Sequence, residues 1–345
     1  MKRDFRGLSG LAKVLLLVLG ASCAESAAGA PGPAPAERVA LDEDDVWAMV
    51  PAEADLVLFA DLAKLRQSPW TRASFDKVSP ADTAANDPGL GPIRSMDRVV
   101  FAKLPSLRDG ASVLVAQGKV DREGLRKGFR GSGERIEGST YRGAELLVRG
   151  DEAMAFVGKS IAISGFALAV RAAIDCHMGI APGIQSEAWL KRLRSEIDRG
   201  RASTVPVVSL YVRLQPATRE ALKQEMGEGE ALEEFGGRID LDADLDVTAT
   251  GVVRTEMQAR DLAARLVERI REVRTRPIVA AFGLGSVVDS LRLSAKDSRV
   301  QASLHVSQKE RSEISTRMSI VAETLAKMRA EKTSDDKPNQ ERQQP

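Results

Sequence analysis

Four aspartates, Asp240, Asp242, Asp244 and Asp246, alternate with Ile239, Leu241, Ala243, Leu245 and Val247. On an extended strand successive side chains point to opposite faces, so all four carboxylates would share one face. Such a face offers oxygen ligands to a divalent cation, or stands in solvent balanced by Arg and Lys on neighbouring strands. The spacing is not that of an EF-hand loop, which needs glycine at its sixth position and glutamate at its twelfth; Leu245 and Gly251 stand there. Weak ion binding and a solvated strand face both fit the pattern. Cys176 and His177 are the other adjacent pair with ligating or nucleophilic side chains. They close Ala172-Ala173-Ile174-Asp175, which reads as a helix end, where a small buried thiol is the ordinary outcome. A reactive thiol or a shared metal site would need a second ligand, and none is near in sequence.

Other short patterns fail on their surroundings. Gly158-Lys159-Ser160 would need a glycine five positions before Gly158 to cradle a phosphate, but Ala153 is there and strand-like residues follow. Gly283-Leu284-Gly285-Ser286-Val287-Val288 lacks the third glycine of a dinucleotide turn and leads toward a strand. Ser74-Phe75-Asp76-Lys77 has the Ser-x-x-Lys spacing of penicillin-binding enzymes without their Ser-Asp-Asn and Lys-Thr-Gly companions. Only two histidines occur, His177 and His305, with no nucleophile elbow and no zinc helix. No catalytic, cofactor-binding or metal residue is assigned. A pair of Asp or Glu brought together by the fold is the one hydrolytic chemistry the sequence leaves open.

Composition points the same way. The chain has 345 residues, 43% hydrophobic and 29% charged, which is ordinary for a folded protein. Aromatics make up 4%, too few for a base-stacking surface. Basic and acidic residues number 50 and 49; without residues 1–22, which hold Lys2, Arg3, Arg6, Lys13 and Asp4, they become 46 and 48. A chain so balanced has no basic field to attract nucleic acid, and none is expected as a partner.

The amino terminus carries an address. Basic residues up to Lys13 precede the apolar run Val14–Leu19, and small residues Gly20-Ala21-Ser22 lead to Cys23. This is the order of a secretory signal, and the apolar run is shorter than the roughly 20 residues of a membrane span. Leu19-Gly20-Ala21-Ser22-Cys23 resembles the lipobox of bacterial lipoproteins, departing from it at Gly20, where that family usually has leucine. The resemblance implies cleavage before Cys23, a diacylglycerol on its sulfur and a further acyl chain, such as palmitate, on its amine. Lipid attachment is therefore placed at Cys23, with the membrane as a partner. Ala24 after the cysteine implies delivery to the outer membrane, facing the periplasm. The alternatives are plain secretion with cleavage near Ala24, and an uncleaved helix. Residues 23–45, rich in Ala, Pro and Gly up to Arg38, read as a tether, and residues 331–345 as a disordered tail.

Between them, short β-rich runs alternate with amphipathic stretches. A first domain is expected over 46–180, with strands at 54–60, 98–104, 112–120, 141–148, 153–157 and 160–164, and helices from Leu62, over 121–129 and over 166–176. A connecting segment, 181–204, holds a helix with Trp189, Leu190, Leu193 and Ile197 on one side. A second domain over 205–330 begins with a strand at 207–212 and a helix from Pro216. It continues with strands at 238–247 and 248–254, a helix over 256–274, strands at 288–295 and 300–306, and a last helix over 308–330. Thr255/Gln258 and Ser307/Glu310 have capping-box spacing. Leu262, Leu266, Ile270 and Val273 form one apolar stripe; Ile314, Met318, Val321, Leu325 and Met328 form another. The expected class is α+β: two similar halves, each a mainly antiparallel sheet covered by helices, like a duplicated split βαβ unit.

The run Pro51–Leu62, followed by Lys64-Leu65-Arg66-Gln67-Ser68-Pro69, resembles the opening of uncharacterised envelope lipoproteins of myxobacteria and related high-GC bacteria. That resemblance covers the opening and the general layout, and implies no activity. The expected function is a non-enzymatic binding or scaffold module of the cell envelope, with an envelope protein as a possible partner. The alternatives are a carboxylate-based envelope hydrolase and an assembly partner of a secretion or motility machine.

Overall fold

A computed structural model describes residues 44–71, 95–107, 110–130, 135–199, 206–216, 232–277 and 284–313, with Arg219, Val279 and Thr316. The expected signal segment, Cys23, most of the expected tether, Ser74–Lys77, most of the helix expected after Pro216, the stripe expected from Ile314 onward and the expected tail lie outside these residues. Among the described residues no helix is long and apolar enough to cross a membrane.

The fold is α+β around one antiparallel sheet. In chain order the strands are β1 (Leu56–Asp61), β2 (Met96–Lys103), β3 (Ser112–Gly118), β4 (Glu137–Tyr141), β5 (Ala144–Arg149), β6 (Glu152–Val157), β7 (Ile161–Phe166), β8 (Val208–Arg213), β9 (Glu234–Leu241), β10 (Leu245–Val252), β11 (Arg292–Lys296) and β12 (Arg299–Val306). The helices are α1 (Asp44–Ala48), α2 (Leu62–Gln67), α3 (Arg122–Arg130), α4 (Ala167–His177), α5 (Ala188–Ile197), α6 (Glu256–Arg274) and α7 (Gly285–Ser290). Across the sheet the order is β11-β12-β10-β9-β8-β1-β2-β3-β7-β6-β5-β4. The sequence suggests a sheet for each half; instead β1 and β8 pair antiparallel, Leu58 opposite Leu210, and join all twelve strands. Both strands carry apolar residues on both faces, so neither is suited to a solvent-exposed edge.

Alternation along the strands separates two layers. Val57, Phe59, Val100, Ala102, Val113, Val115 and Ile163 point to a core capped by α1, α4 and α5, which contribute Trp47, Ile174, Leu190 and Leu193. Leu58, Ala60, Ala116, Met154, Phe156 and Ala162 point the other way, toward α2, Trp70 and α3. Local signals in the sequence work as the chemistry demands. Asp61 caps α2 by accepting from the Lys64 amide at 2.8 Å. Thr255 and Gln258 close a reciprocal capping box at the start of α6, and Ser307 and Glu310 do the same after β12. Trp189, Leu190, Leu193 and Ile197 of α5 are all buried.

The structure departs from the sequence reading in several places. Residues 141–148 are not one strand, because Arg142 and Gly143 (φ 52° and 80°) form a tight turn between β4 and β5. Residues 285–290 form α7 rather than the start of a strand, and β11 begins at Arg292. The α6 stripe is less covered than expected: Leu262, Ile270 and Val273 are half-buried and Leu266 is 38% exposed, while the buried residue of the helix is Ala259, outside the stripe.

Gly165 in β7 shows how closely the sheet is built. Its φ is +148°, and a Cβ there would lie 2.2 Å from the Ser112 carbonyl oxygen. Gly165→Ala is therefore expected to lower unfolding free energy by about 1–3 kcal/mol, read as a shift of the urea midpoint at unchanged slope. An unshifted midpoint would contradict this strand geometry.

Candidate functional site

The aspartate run is divided by a turn. β9 ends at Leu241 and β10 begins at Leu245, paired with it, leaving Asp242–Asp244 as the loop. The four carboxylates thus do not line one strand face. Asp240 and Asp246 stand directly opposite each other, a like-charge pair that is unfavourable alone. Each has its own partner. Arg238, 2% exposed, donates to both oxygens of Asp240 at 2.8 and 2.7 Å and also to Asp198. Asp246 faces His305 Nδ1 at 3.1 Å, and Asp244 accepts from the Gln308 amide at 2.9 Å. Trp70 fixes the turn by donating from its indole to the Ala243 carbonyl. The sequence reading expects two strands here but breaks them at 247/248 instead of at 242–244, because Asp is both a strand-face residue in solvent and a favoured turn residue.

Cys176 lies at the end of α4, buried, and donates to the Pro182 carbonyl across 3.4 Å. Gly158–Ser160 form the turn between β6 and β7, where the Gly158 carbonyl accepts from Arg122, so this segment is no phosphate cradle.

A concave feature bounded by described residues lies under α3. Asp121 starts this helix, its side chain accepting from the Gly124 amide at 3.0 Å. The helix offers the sheet little: Phe129 is its buried residue, Leu125 is half-buried, and Gly124 and Gly128 each cost a helix roughly 1 kcal/mol relative to alanine. Arginines hold it down instead. Arg122 and Arg126 lie over the Phe156 ring at 5.3 and 5.6 Å, and Arg126 donates to both Glu145 oxygens at 2.6 Å. From β5, Arg149 lies 4.8 Å over the Phe129 ring and donates to the Phe129 carbonyl at 2.7 Å. Its guanidinium also donates to Glu152, across the β5–β6 turn.

Two apolar side chains spanning nine helical residues cannot fill the space above the sheet. A cavity of about 290 Å³ remains, walled by Met96, Leu114, Ala116, Leu125, Phe129 and Met154. Ala162, Ile163, Gly165 and Gly128 complete the wall, with Arg149, Glu152 and Ser164 as its charged and hydroxyl side chains. An apolar cavity of about 150 Å³ already accepts a benzene molecule, so this space is large enough for a ligand. Its one carboxylate, Glu152, is paired with Arg149, so the cavity does not bring together two carboxylates for hydrolysis. None of its lining residues is a site residue in the sequence reading. The available signal is the thin apolar face of α3, two residues four apart between glycines and arginines.

No family model and no curated protein matches the chain. Among solved structures, crystal form III of TP0453 is similar, with 9% identity and a TM-score of 0.46, over 81% of this chain and 99% of that one. Crystal form I of the same protein gives 11% identity and a TM-score of 0.44, over 81% and 98%.

Burial pushes the Cys176 thiol up from 9.0 to about 11, with the charges of Glu53 and Asp175 adding to the effect. The protonated thiol is favoured by folding, so its contribution to stability is present below pH 9 and is lost as pH rises toward 11. At pH 8 Cys176 of the native chain, read on its own peptide, is expected to react with iodoacetamide about 100-fold more slowly than in the urea-unfolded chain, from thiolate population alone. Equal rates, followed by mass spectrometry, would contradict this placement.

Proposed function

We propose that this chain is a cell-envelope lipoprotein, held to the outer membrane through lipid on Cys23, and that it acts as a non-enzymatic binding module. The cavity under α3 carries the binding reading, because apolar walls beside a few fixed polar groups are how proteins hold small molecules. The address rests on the sequence Val14–Cys23, and Ala24–Arg38 supplies a spacer between bilayer and fold.

The two halves are proposed to descend from one unit. Outward from the β1–β8 seam, the order β1-β2-β3-β7 mirrors β8-β9-β10-β12. A helix precedes each series, α1 before β1 and α5 before β8, and both lie in the same core. A helix also follows the third strand of each, α3 and α6. The register supports this, since Leu56, Leu58 and Ala60 face Val212, Leu210 and Val208 about a central Leu58–Leu210 pair. The first half differs by the additional hairpin β4–β5, whose Arg149 is its one contribution to the cavity wall.

Cys23→Ala is expected to move the chain from the membrane fraction to the soluble periplasmic fraction; unchanged membrane attachment would sink the address. The neutral dye 1-aminonaphthalene, whose ten carbons match a cavity of about 290 Å³, is expected to brighten on binding one site per chain. Ala116→Leu, which extends a wall residue into the cavity, should reduce that binding at least tenfold. A dye signal unaffected by Ala116→Leu, or no signal from the folded chain, would contradict the binding module.

A further inference from the structure

We infer that the cavity under α3 takes an uncharged hydrocarbon carrying one hydroxyl group, which hydrogen-bonds to Ser164. This rests on the binding-module reading above and adds the chemistry of the ligand.

Size sets the hydrocarbon. Scaling from the benzene-sized cavity, about 290 Å³ accommodates roughly ten carbon atoms. Met96 and Met154 are in the wall, and their unbranched side chains adjust to a ligand's outline better than branched ones.

Charge sets what stays out. Arg149 and Glu152 are the charged groups of the wall, and they are paired with each other. Arg149 also donates to the Phe129 carbonyl. On α3 and hairpin β5–β6, Glu145 matches Arg126 and Glu123 matches Lys127, while Asp121 and Asp151 offset Arg122 and Arg130 in number. This balance draws an ion of neither sign inward. An ionised ligand would give up its hydration among apolar walls and find the opposite charge already taken.

Ser164 sets what the ligand carries. The preceding residue of β7, Ile163, is buried in the core under α1, α4 and α5, so alternation turns the Ser164 side chain toward α3. It stands there between its cross-strand neighbours Leu114 and Met154, both of the cavity wall. Among the described residues its hydroxyl has no hydrogen-bond partner. A serine hydroxyl both donates and accepts, so it suits a hydroxyl on the ligand. One ligand oxygen is satisfied at this point; a second would face hydrocarbon or charges already paired.

The test is titration calorimetry of the full chain at pH 7 with 1-naphthol, naphthalene, 1-naphthoate and 1-naphthylmethylammonium, which share one ten-carbon ring system. 1-Naphthol should bind one site about fivefold more tightly than naphthalene, the ordinary yield of one neutral hydrogen bond. The anion and the cation should each bind at least tenfold more weakly than 1-naphthol. Ser164→Ala should bring 1-naphthol to the affinity of naphthalene and leave naphthalene unchanged. If Ser164→Ala fails to fold, the ranking of the four ligands on the unaltered chain decides. Equal binding of 1-naphthol and naphthalene, an ion that binds as tightly as 1-naphthol, or a 1-naphthol preference that survives Ser164→Ala would overturn this ligand and leave the binding module standing. No binding of these four or of 1-aminonaphthalene by a cooperatively melting chain would overturn both.

Discussion

Everything else in the molecule depends on the pairing of β1 with β8. Without it, each half would present an apolar strand as an open edge, a template for aggregation. With it, one sheet runs from β11 to β4 and both halves share a core. The seam is clamped from the helical side. Trp47 of α1 stacks on Phe59 of β1 at 5.8 Å and meets Tyr211 of β8 edge-on at 6.0 Å. Arg194 of α5 lies 5.0 Å over the same indole. Aromatic pairs of this geometry contribute about 0.5–1.5 kcal/mol each beyond their burial, so Trp47 ties two strands and two helices at one point. On the opposite face Leu58 and Leu210 belong to the same cluster, beside Leu65 and Trp70. Neither half can be removed without opening this seam.

Rigidity at the seam allows looseness elsewhere. α5 is buried through Trp189, Leu190, Leu193 and Ile197, and it lies so close to β9 that a Cβ on Gly236 would meet Ile197 at 2.4 Å. α3 is the opposite case, a glycine-bearing helix with one buried side chain, held largely by guanidinium groups over aromatic rings. Cation–π contacts and part-exposed ion pairs are individually weak, so they keep α3 in place without filling the space beneath it. Packing is thin where the cavity lies and dense at the β1–β8 seam.

The sequence makes helices with private start signals easy to read. Asp61, Thr255 and Ser307 mark their helices by local hydrogen bonds that need no tertiary partner, and α5 shows its buried face by spacing alone. Class and strand content follow from alternation. Three things were hidden, each for a stated reason. The β9–β10 turn was masked because aspartates alternate with apolar residues straight through it, and only the Leu241–Leu245 pairing and the Trp70 bond to Ala243 locate it. The union of the halves was hidden because β1 and β8 are about 150 residues apart, and a buried strand looks alike whichever neighbour it pairs with. The cavity was hidden because it is a shortfall of side-chain volume under α3, a property of what faces the helix rather than of any motif. The proposed lipid address, in contrast, rests on Val14–Cys23 alone and owes nothing to the fold.

Hydrogen exchange on the full chain tests the central claim most directly: one cooperative sheet seamed at β1–β8, with α3 its most weakly held cover. Amides of β1 and β8 should exchange as slowly as those of β3 and β9, all at the free energy of global unfolding, while α3 amides exchange at a much lower opening free energy. Rapid exchange in β1 and β8 beside lasting protection in β3 and β9 would contradict the account, because it would describe two separate sheets that merely touch.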